Sequence, residues 1–195
     1  MYIPTKYQLE DSKEQYEFMV KYSFATLLNF NGNQIIGSHI PLVVEQSNDK
    51  FIIYGHVSKL NCQSHIECGS ECLAIFQGPH AYISPSQYDN KGSFPTWDYI
   101  AVHAYGTFQK ISNKLEIIEK TITKYEPAYF QHWNEIPLQY KINMMEHIET
   151  FRIDIHEIQA QKKLSQNKTA SEIKRIKNIL SASQNPYALD LSTYL

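Results

Sequence analysis

Apolar runs bounded by turn residues dominate the first half of this chain. Phe24–Phe30 and residues 34–45 read as two strands. Between them Asn31-Gly32-Asn33 tolerates the positive φ of a tight hairpin. Ser47-Asn48-Asp49 reads as the next turn and residues 51–56 as a third strand, so a β-meander is expected. Residues 73–76 read as a short buried strand, and 97–111 as a long one bent or bulged near Gly106. Residues 151–156 alternate as a half-exposed strand, and the stretch from Gly78-Pro79 to Pro95 is full of turn residues.

Helical spacing appears in fewer places. Asp11 followed by Glu14 resembles a capping box and opens a helix over 11–21, with Tyr16, Met19 and Val20 as its apolar stripe. Ser112 caps a helix over 112–125 that carries Leu115, Ile118 and Ile122. Pro127 and Pro137 interrupt the pattern before a short helix over 140–146. Residues 59–69 are polar and read as a crossover helix ending at Gly69. Thr169-Ala170-Ser171-Glu172 is a second capping box, with Ile173, Ile176 and Ile179/Leu180 on one face of the helix it opens. From Ser181 onward no period is visible. The sum is a mainly β (α+β) chain forming a small barrel or sandwich with peripheral helices, because a lone sheet of six or so strands would leave one face wet. The expected division is a β domain over 1–168 and a helix and tail over 169–195, packed on the barrel or a partner subunit.

Composition narrows the class. The 195 residues, 43% hydrophobic, suffice for one sizeable core, and fourteen tyrosines, nine phenylalanines and two tryptophans supply walls for planar ligands. A net charge of -2 argues against holding nucleic acid by bulk electrostatics. Met1-Tyr2-Ile3-Pro4-Thr5 lacks the basic start and apolar run of a secretion signal. No stretch approaches the roughly 20 apolar residues of a membrane span. Cys62, Cys68 and Cys72 are an odd number in one short segment, unlike a secreted disulfide framework. A cytoplasmic protein without a membrane partner is expected.

Four segments could carry chemistry. Gly37-Ser38-His39-Ile40-Pro41-Leu42 places a proline in an apolar strand, which marks an edge or a bulge. An edge leaves backbone free for a ligand, but proline also serves to block edge aggregation, and both readings stand. Gly55-His56-Val57-Ser58-Lys59-Leu60-Asn61 joins a strand to a helix start, where open amides, a hydroxyl and an ammonium can cradle phosphate. A serine cap beside a solvated lysine reads the same way. The third segment, residues 78–86 continuing through 94–106, is dense in aromatic, histidine and proline residues. The fourth, Lys163-Leu164-Ser165-Gln166-Asn167-Lys168, is a cationic loop.

Taken together, Gly-His-Val-Ser-Lys-Leu-Asn, Gly-Pro-His-Ala-Tyr-Ile-Ser-Pro-Ser, Pro-Thr-Trp-Asp-Tyr-Ile-Ala-Val-His-Ala-Tyr-Gly and Lys-Leu-Ser-Gln-Asn resemble the PaiB-like FMN-binding negative transcriptional regulators, in the family's order over nearly the whole chain. The resemblance implies an FMN-binding split barrel, a fold shared with pyridoxamine-phosphate oxidases and flavin reductases. It also implies a homodimer with flavin at the subunit interface and a role in repressing sporulation and protease genes. It places the phosphate at His56, Ser58 and Lys59, with Asn61 close by, and runs the strand bearing Ser38, His39 and Ile40 along the isoalloxazine edge. Thr96, Trp97 and Tyr99 come near the ring or the dimer seam. Lys163, Ser165, Gln166 and Asn167 reach the flavin held mainly by the other subunit. Relatives often carry proline where this chain has Cys62.

Other readings compete. Cys62, His65, Cys68 and Cys72 match no common zinc spacing, and no metal is expected. His39, His80 and His103 could serve as acid-base groups or haem ligands, or as hydrogen-bonded structural residues. Ser86 and Ser165 show no activating base. Lys162, Lys163, Lys168, Lys174, Arg175 and Lys177 form the best candidate DNA patch, without a helix-turn-helix pair to use it. The alternatives to a flavin-binding regulator are a flavin-dependent reductase or oxidase and a haem-binding split barrel. A glycine-rich nucleotide fingerprint is absent, so any nicotinamide would bind transiently.

Overall fold

The computed structural model describes residues 1–47, 50–90 and 92–195; two residues of the turn expected at Ser47-Asn48-Asp49 lie outside them. Strand β1 (Phe24–Phe30) alternates in burial, turning Ala25, Leu27 and Asn29 inward and Phe24 and Phe30 out. The hairpin after it forms because Asn31 Oδ1 accepts from the amides of Asn33 and Gln34 at 3.1 and 2.9 Å, while Gly32 takes φ +87°. Phe30 then pairs with Ile35 at the start of β2 (Ile35–Pro41).

The single strand expected over 34–45 is two strands. Pro41 ends β2, the Leu42 amide donates to Ser23 O at 2.9 Å, and β3 (Val43–Ser47) pairs with β4 (Lys50–Ser58) instead. Strands β5 (Glu71–Ile83), β6 (Thr96–Lys110) and β7 (Ile148–Lys163) complete a seven-stranded sheet of order β2-β1-β5-β6-β7-β4-β3. The edge strands β2 and β3 are thus joined through Leu42 alone. One residue spans at most about 3.6 Å, so the sheet must coil until its two edges approach. The result is a barrel with a gap.

β5 and β7 outrun the short strands expected at 73–76 and 151–156. β5 passes through Gly78-Pro79 because its inward positions stay apolar beyond the proline, with Ala81 and Ile83 buried. β6 continues without interruption through Gly106, where an added Cβ would lie 2.6 Å from Asp154 O and 2.7 Å from Ile153 Cγ2. This glycine permits close approach of β7.

Helix α1 (Ser12–Lys21) starts where Asp11 Oδ1 accepts from the Glu14 amide at 2.9 Å. α2 (Lys114–Tyr125) is capped by Asn113, one residue later than the sequence suggests. α3 (Phe130–Glu135) was not expected, and α4 (Leu138–Met145) follows it. α5 (Ala170–Ser181) carries the expected capping box between Thr169 and Glu172. α6 (Pro186–Ser192) was missed, although Asn185 caps it and Pro186 supplies the first turn. The helix expected over 59–69 is one 3-10 turn, Cys62–His65; the Asn61 side chain satisfies the Gln63 amide, and extended backbone at Ile66 ends the turn.

The chain divides into two compact units. The barrel unit comprises Tyr16–Phe76 and His103–Ile158, and the terminal unit comprises Met1–Gln15, Gln77–Val102 and Gln159–Leu195. In the barrel unit Leu27, Leu42, Ile53, Phe76, Phe108, Phe151 and Ile153 are buried, with the rings of Phe108 and Phe151 5.1 Å apart. Gly55 makes room for this packing, since a Cβ there would meet Phe151 Cζ at 2.7 Å and Leu42 Cδ2 at 2.8 Å. In the terminal unit Leu9, Ile83, Ile100, Val102, Ile176, Leu180 and Leu191 form the core. There Leu9 N donates to Ala160 O at 3.0 Å and Gln8 bridges to Gln161, tying the N-terminal segment to the end of β7. Among the described residues no helix is long and apolar enough to cross a membrane.

Candidate functional site

The candidate residues fall into two sets, one in each unit. In the barrel unit they lie on β2, at the end of β4, and in the loop that follows it. Alternation along β2 puts Ser38 and Ile40 on one face and His39 on the other. Ser38 Oγ accepts from Asn61 Nδ2 at 2.9 Å, while His39 Nδ1 meets Thr26 Oγ1 at 2.9 Å on the opposite face. The structure therefore joins Ser38 to Asn61 and separates His39 from them. His56 and Ser58 share a face of β4 as residues two apart.

The junction does not offer the open amides expected of it. Lys59 N donates to His147 O, Asn61 N to Ser58 O, and Leu60 N to Ser58 Oγ, at 2.9, 2.9 and 3.2 Å. Side-chain donors remain. Ser58 accepts from Leu60 and keeps its own proton to give, and both Ser58 and Lys59 are exposed. Burial pushes the His56 imidazole below its ordinary pKa, so it stays neutral at pH 7 and supplies one N–H. A hydroxyl, an ammonium and a neutral imidazole fit a phosphate monoester, which accepts hydrogen bonds from each.

Two hollows flank this segment. One, about 320 Å³, has Lys59 in its wall with Ser112, Lys114 and Met145. The larger, about 590 Å³, is bordered by Phe30, Asn31, Ile36, Cys62, His65 and Glu67, and no residue singled out from sequence for the cofactor lines it. Of the cysteines, Cys62 and Cys68 are exposed, and the Cys72 thiol is buried and pushed up to about 12 by that burial.

In the terminal unit the second set is held by side chains. Lys163 Nζ donates to Thr96 Oγ1 and, at 2.5 Å, to Trp97 O. Tyr99 OH donates to Gln161 Oε1 at 2.8 Å. Gln166 folds back on its own loop, accepting from Leu164 N at 2.7 Å and donating to Lys162 O at 2.5 Å. Asn167 Oδ1 accepts from Tyr7 OH at 3.5 Å, while Gln166 and Asn167 remain exposed. Ser165 is different: it is buried, it takes φ 57°, and its hydroxyl donates to Asp98 Oδ2 at 2.6 Å. Its hydroxyl is spent within the chain.

Asp98 was quoted in its motif but given no role. The missed signal is positional: Ile100, Val102 and Ala104 are the inward residues of β6, and Asp98 occupies the same parity. It is fully buried, and Oδ1 has no hydrogen-bond partner among the described residues. Burial raises its pKa, partly offset by the Ser165 hydrogen bond and the Lys163 charge. Glu172 makes the contrast, since the amides of Thr169 and Asp89 donate to it and hold its pKa low. The missed helix α6 also contributes, stacking Tyr187 on His80 at 4.9 Å, with Trp97 5.5 Å from the same imidazole.

Residues 1–157 match the family described as "Putative FMN-binding domain". The chain is 32% identical, over 98% of its length and 95% of the relative's, to the protease synthase and sporulation protein PAI 2 of Bacillus subtilis. Two solved structures share the fold. The FAD and heme binding protein of Mycobacterium smegmatis has a TM-score of 0.63 at 11% identity, over 86% of this chain and 78% of that one. The flavocytochrome Anf3 of Azotobacter vinelandii has a TM-score of 0.62 at 12% identity, over 83% and 72%. The coiled, open sheet is the split barrel that the sequence motifs imply, and FMN is the cofactor of the family. The chain belongs to the PaiB-like FMN-binding family, with the fold of a flavin-binding split barrel.

Proposed function

We propose that this protein is a cytoplasmic homodimer that binds FMN at the subunit interface and acts as a flavin-dependent regulatory protein. Family membership across nearly the whole chain carries the reading. Ser58, Lys59 and the neutral His56 bind the phosphate, Asn61 orients Ser38 beside them, and the β2 edge with Ile40 flanks the ring. His39, on the other face of β2, contributes through its backbone. Thr96, Trp97 and Tyr99 line the ring or the seam, and Lys163, Gln166 and Asn167 approach from the second subunit, with Ser165 acting through the shape of their loop. Bound FMN would supply redox chemistry at its ring; the residues named here bind and orient it.

The dimer is supported by one face of the barrel unit. The cross-strand pairs Phe24↔Pro41, Thr26↔His39, Leu28↔Gly37 and Phe30↔Ile35 share that face, and Leu73 and Ile75 of β5 continue it. Phe24, Phe30 and Ile35 are 68%, 62% and 72% exposed. An apolar sheet face beside a free edge is matched by a second copy of itself. Direct DNA binding finds less support. Lys162 pairs with Glu14 and Arg175 with Asp89; Lys163 holds Thr96, Lys168 lies 3.5 Å over the Tyr88 ring, and Lys177 holds Leu195 O.

The test is an FMN titration followed by flavin fluorescence, with riboflavin as the phosphate-free control and light scattering for mass. One FMN per subunit, weaker riboflavin binding and a dimeric mass are expected. Binding of neither flavin would overturn the reading and bring haem forward. Reduction of bound FMN by NAD(P)H with turnover would favour a flavin-dependent reductase.

A further inference from the structure

The geometry points to Asp98 as a positioning residue: from its buried place on β6 it holds the Ser165 hydroxyl and so fixes the left-handed turn that sets Lys163, Gln166 and Asn167. This inference rests on the reading that the loop over 163–167 contributes to a flavin site.

A residue with a Cβ enters the left-handed region at a steric cost, and persists there only when its surroundings hold it. Ser165, at φ 57°, is the one such non-glycine residue among those described. What holds it is the 2.6 Å bond to Asp98 Oδ2, with both partners buried. The turn is closed on its far side by Lys168 N donating to Ser165 O at 2.9 Å. The same short segment of β6 receives Lys163, through Thr96 Oγ1 and Trp97 O. Residues 96–98 therefore anchor the loop twice, once by a charged side chain and once by a buried acid.

Packing alone does not account for an acid here. A carboxylate with one oxygen unpaired is an expensive filler for a position whose neighbours of like parity, Ile100 and Val102, are aliphatic. Its hydrogen bonds, from the hydroxyl and the backbone of one residue, are both to Ser165, so the loop is where its effect is felt. The charged and titratable groups acting on this cluster are Lys163 at the end of β7, Tyr88, Tyr7 and Glu172 of α5. The Tyr88 phenol is raised by burial and then by the Asp98 charge.

The experiment uses the full chain in three variants, Ser165→Ala, Ser165→Gly and Asp98→Asn. Trypsin cleavage after Lys163 and Lys168, mapped by mass without ligand, reads loop order directly. FMN and riboflavin affinities read its consequence, riboflavin removing the titration of the phosphate. Ser165→Ala should be cut about tenfold faster and bind FMN about tenfold more weakly, the order of one charge-assisted hydrogen bond. Ser165→Gly adopts the turn without a hydroxyl and should retain more affinity than Ser165→Ala, which a direct contact through the hydroxyl would not allow. In the wild type, riboflavin affinity should fall on acidification as the carboxylate is protonated; in Asp98→Asn that pH dependence should be lost. Wild-type cleavage rates and affinities in Ser165→Ala would overturn the inference. If the wild type binds no flavin, the functional reading fails separately, and the cleavage map alone decides the role of Asp98.

Discussion

The two units support their candidate residues by opposite means. In the barrel unit, His56, Ser58, Lys59 and Asn61 sit at the end of β4 and in the turn after it, and Ser38 lies on β2, over an apolar core. The amides of Lys59 and Asn61 are used up internally, and the side chains of Ser58 and Lys59 are left exposed. In the terminal unit, Thr96, Tyr99, Lys163 and Ser165 are bonded to one another or to neighbours, around an acid with no access to solvent. Exposed donors give up little local structure to meet a ligand, while bonded ones must give up a partner. The difference teaches that the first set can be altered with little effect on folding, whereas changes in the second report shape as much as contact.

The largest effect should come from the scaffold under the first set. Phe151→Ala removes a fully buried ring and should cost about 3–5 kcal/mol of unfolding free energy, measured by denaturant titration. A loss under about 1 kcal/mol would mean that the core of the barrel unit does not support those strands as described.

Next, Lys59→Ala should weaken FMN binding by about 1.5–3 kcal/mol, the scale of a hydrogen bond to a charged group, with riboflavin binding and the melting temperature unchanged. Equal losses for both flavins would move Lys59 away from the phosphate and undo the contrast between the sets.

The smallest effect concerns the buried acid. The folded pKa of Asp98 is raised above its unfolded value, so ionising it in the native state costs stability. That cost is present above the folded pKa and disappears as pH falls toward the ordinary carboxyl range. Asp98→Asn should therefore be more stable than the wild type at neutral pH, with the advantage shrinking on acidification. Urea melts of the two proteins across pH check the sign; an advantage that grows toward acid would contradict it.

Much of this was legible beforehand where a local signal had no competitor. β1 is legible to its ends because an apolar run and an Asn-Gly turn agree, and the start of α5 because its capping box is local. β5 was cut short because Gly78-Pro79 reads as a turn, while the burial that carries the strand past it comes from its neighbours. The break at Leu42 was half visible in Pro41, but no residue type says that a strand will change edges. The phosphate donors could be picked out as residue types, whereas the commitment of the amides beside them depends on His147, far along the chain. Asp98 escaped for a related reason, since an acid between two aromatics looks exposed until its parity with Ile100 and Val102 is noticed.

The register of the sheet bears on how the chain is made. β1 and β2 pair across a four-residue turn, but β4 pairs with β7, Ile52 facing Asp154, across about a hundred residues of sequence. During synthesis the early hairpin can form at once, whereas β4 has no partner on that side until β7 leaves the ribosome. Until then an apolar strand, with Phe51 and Ile53 among its side chains, presents an open edge to whatever is nearby. Yield on expression should thus depend more on how quickly β7 arrives than on the stability of the finished barrel.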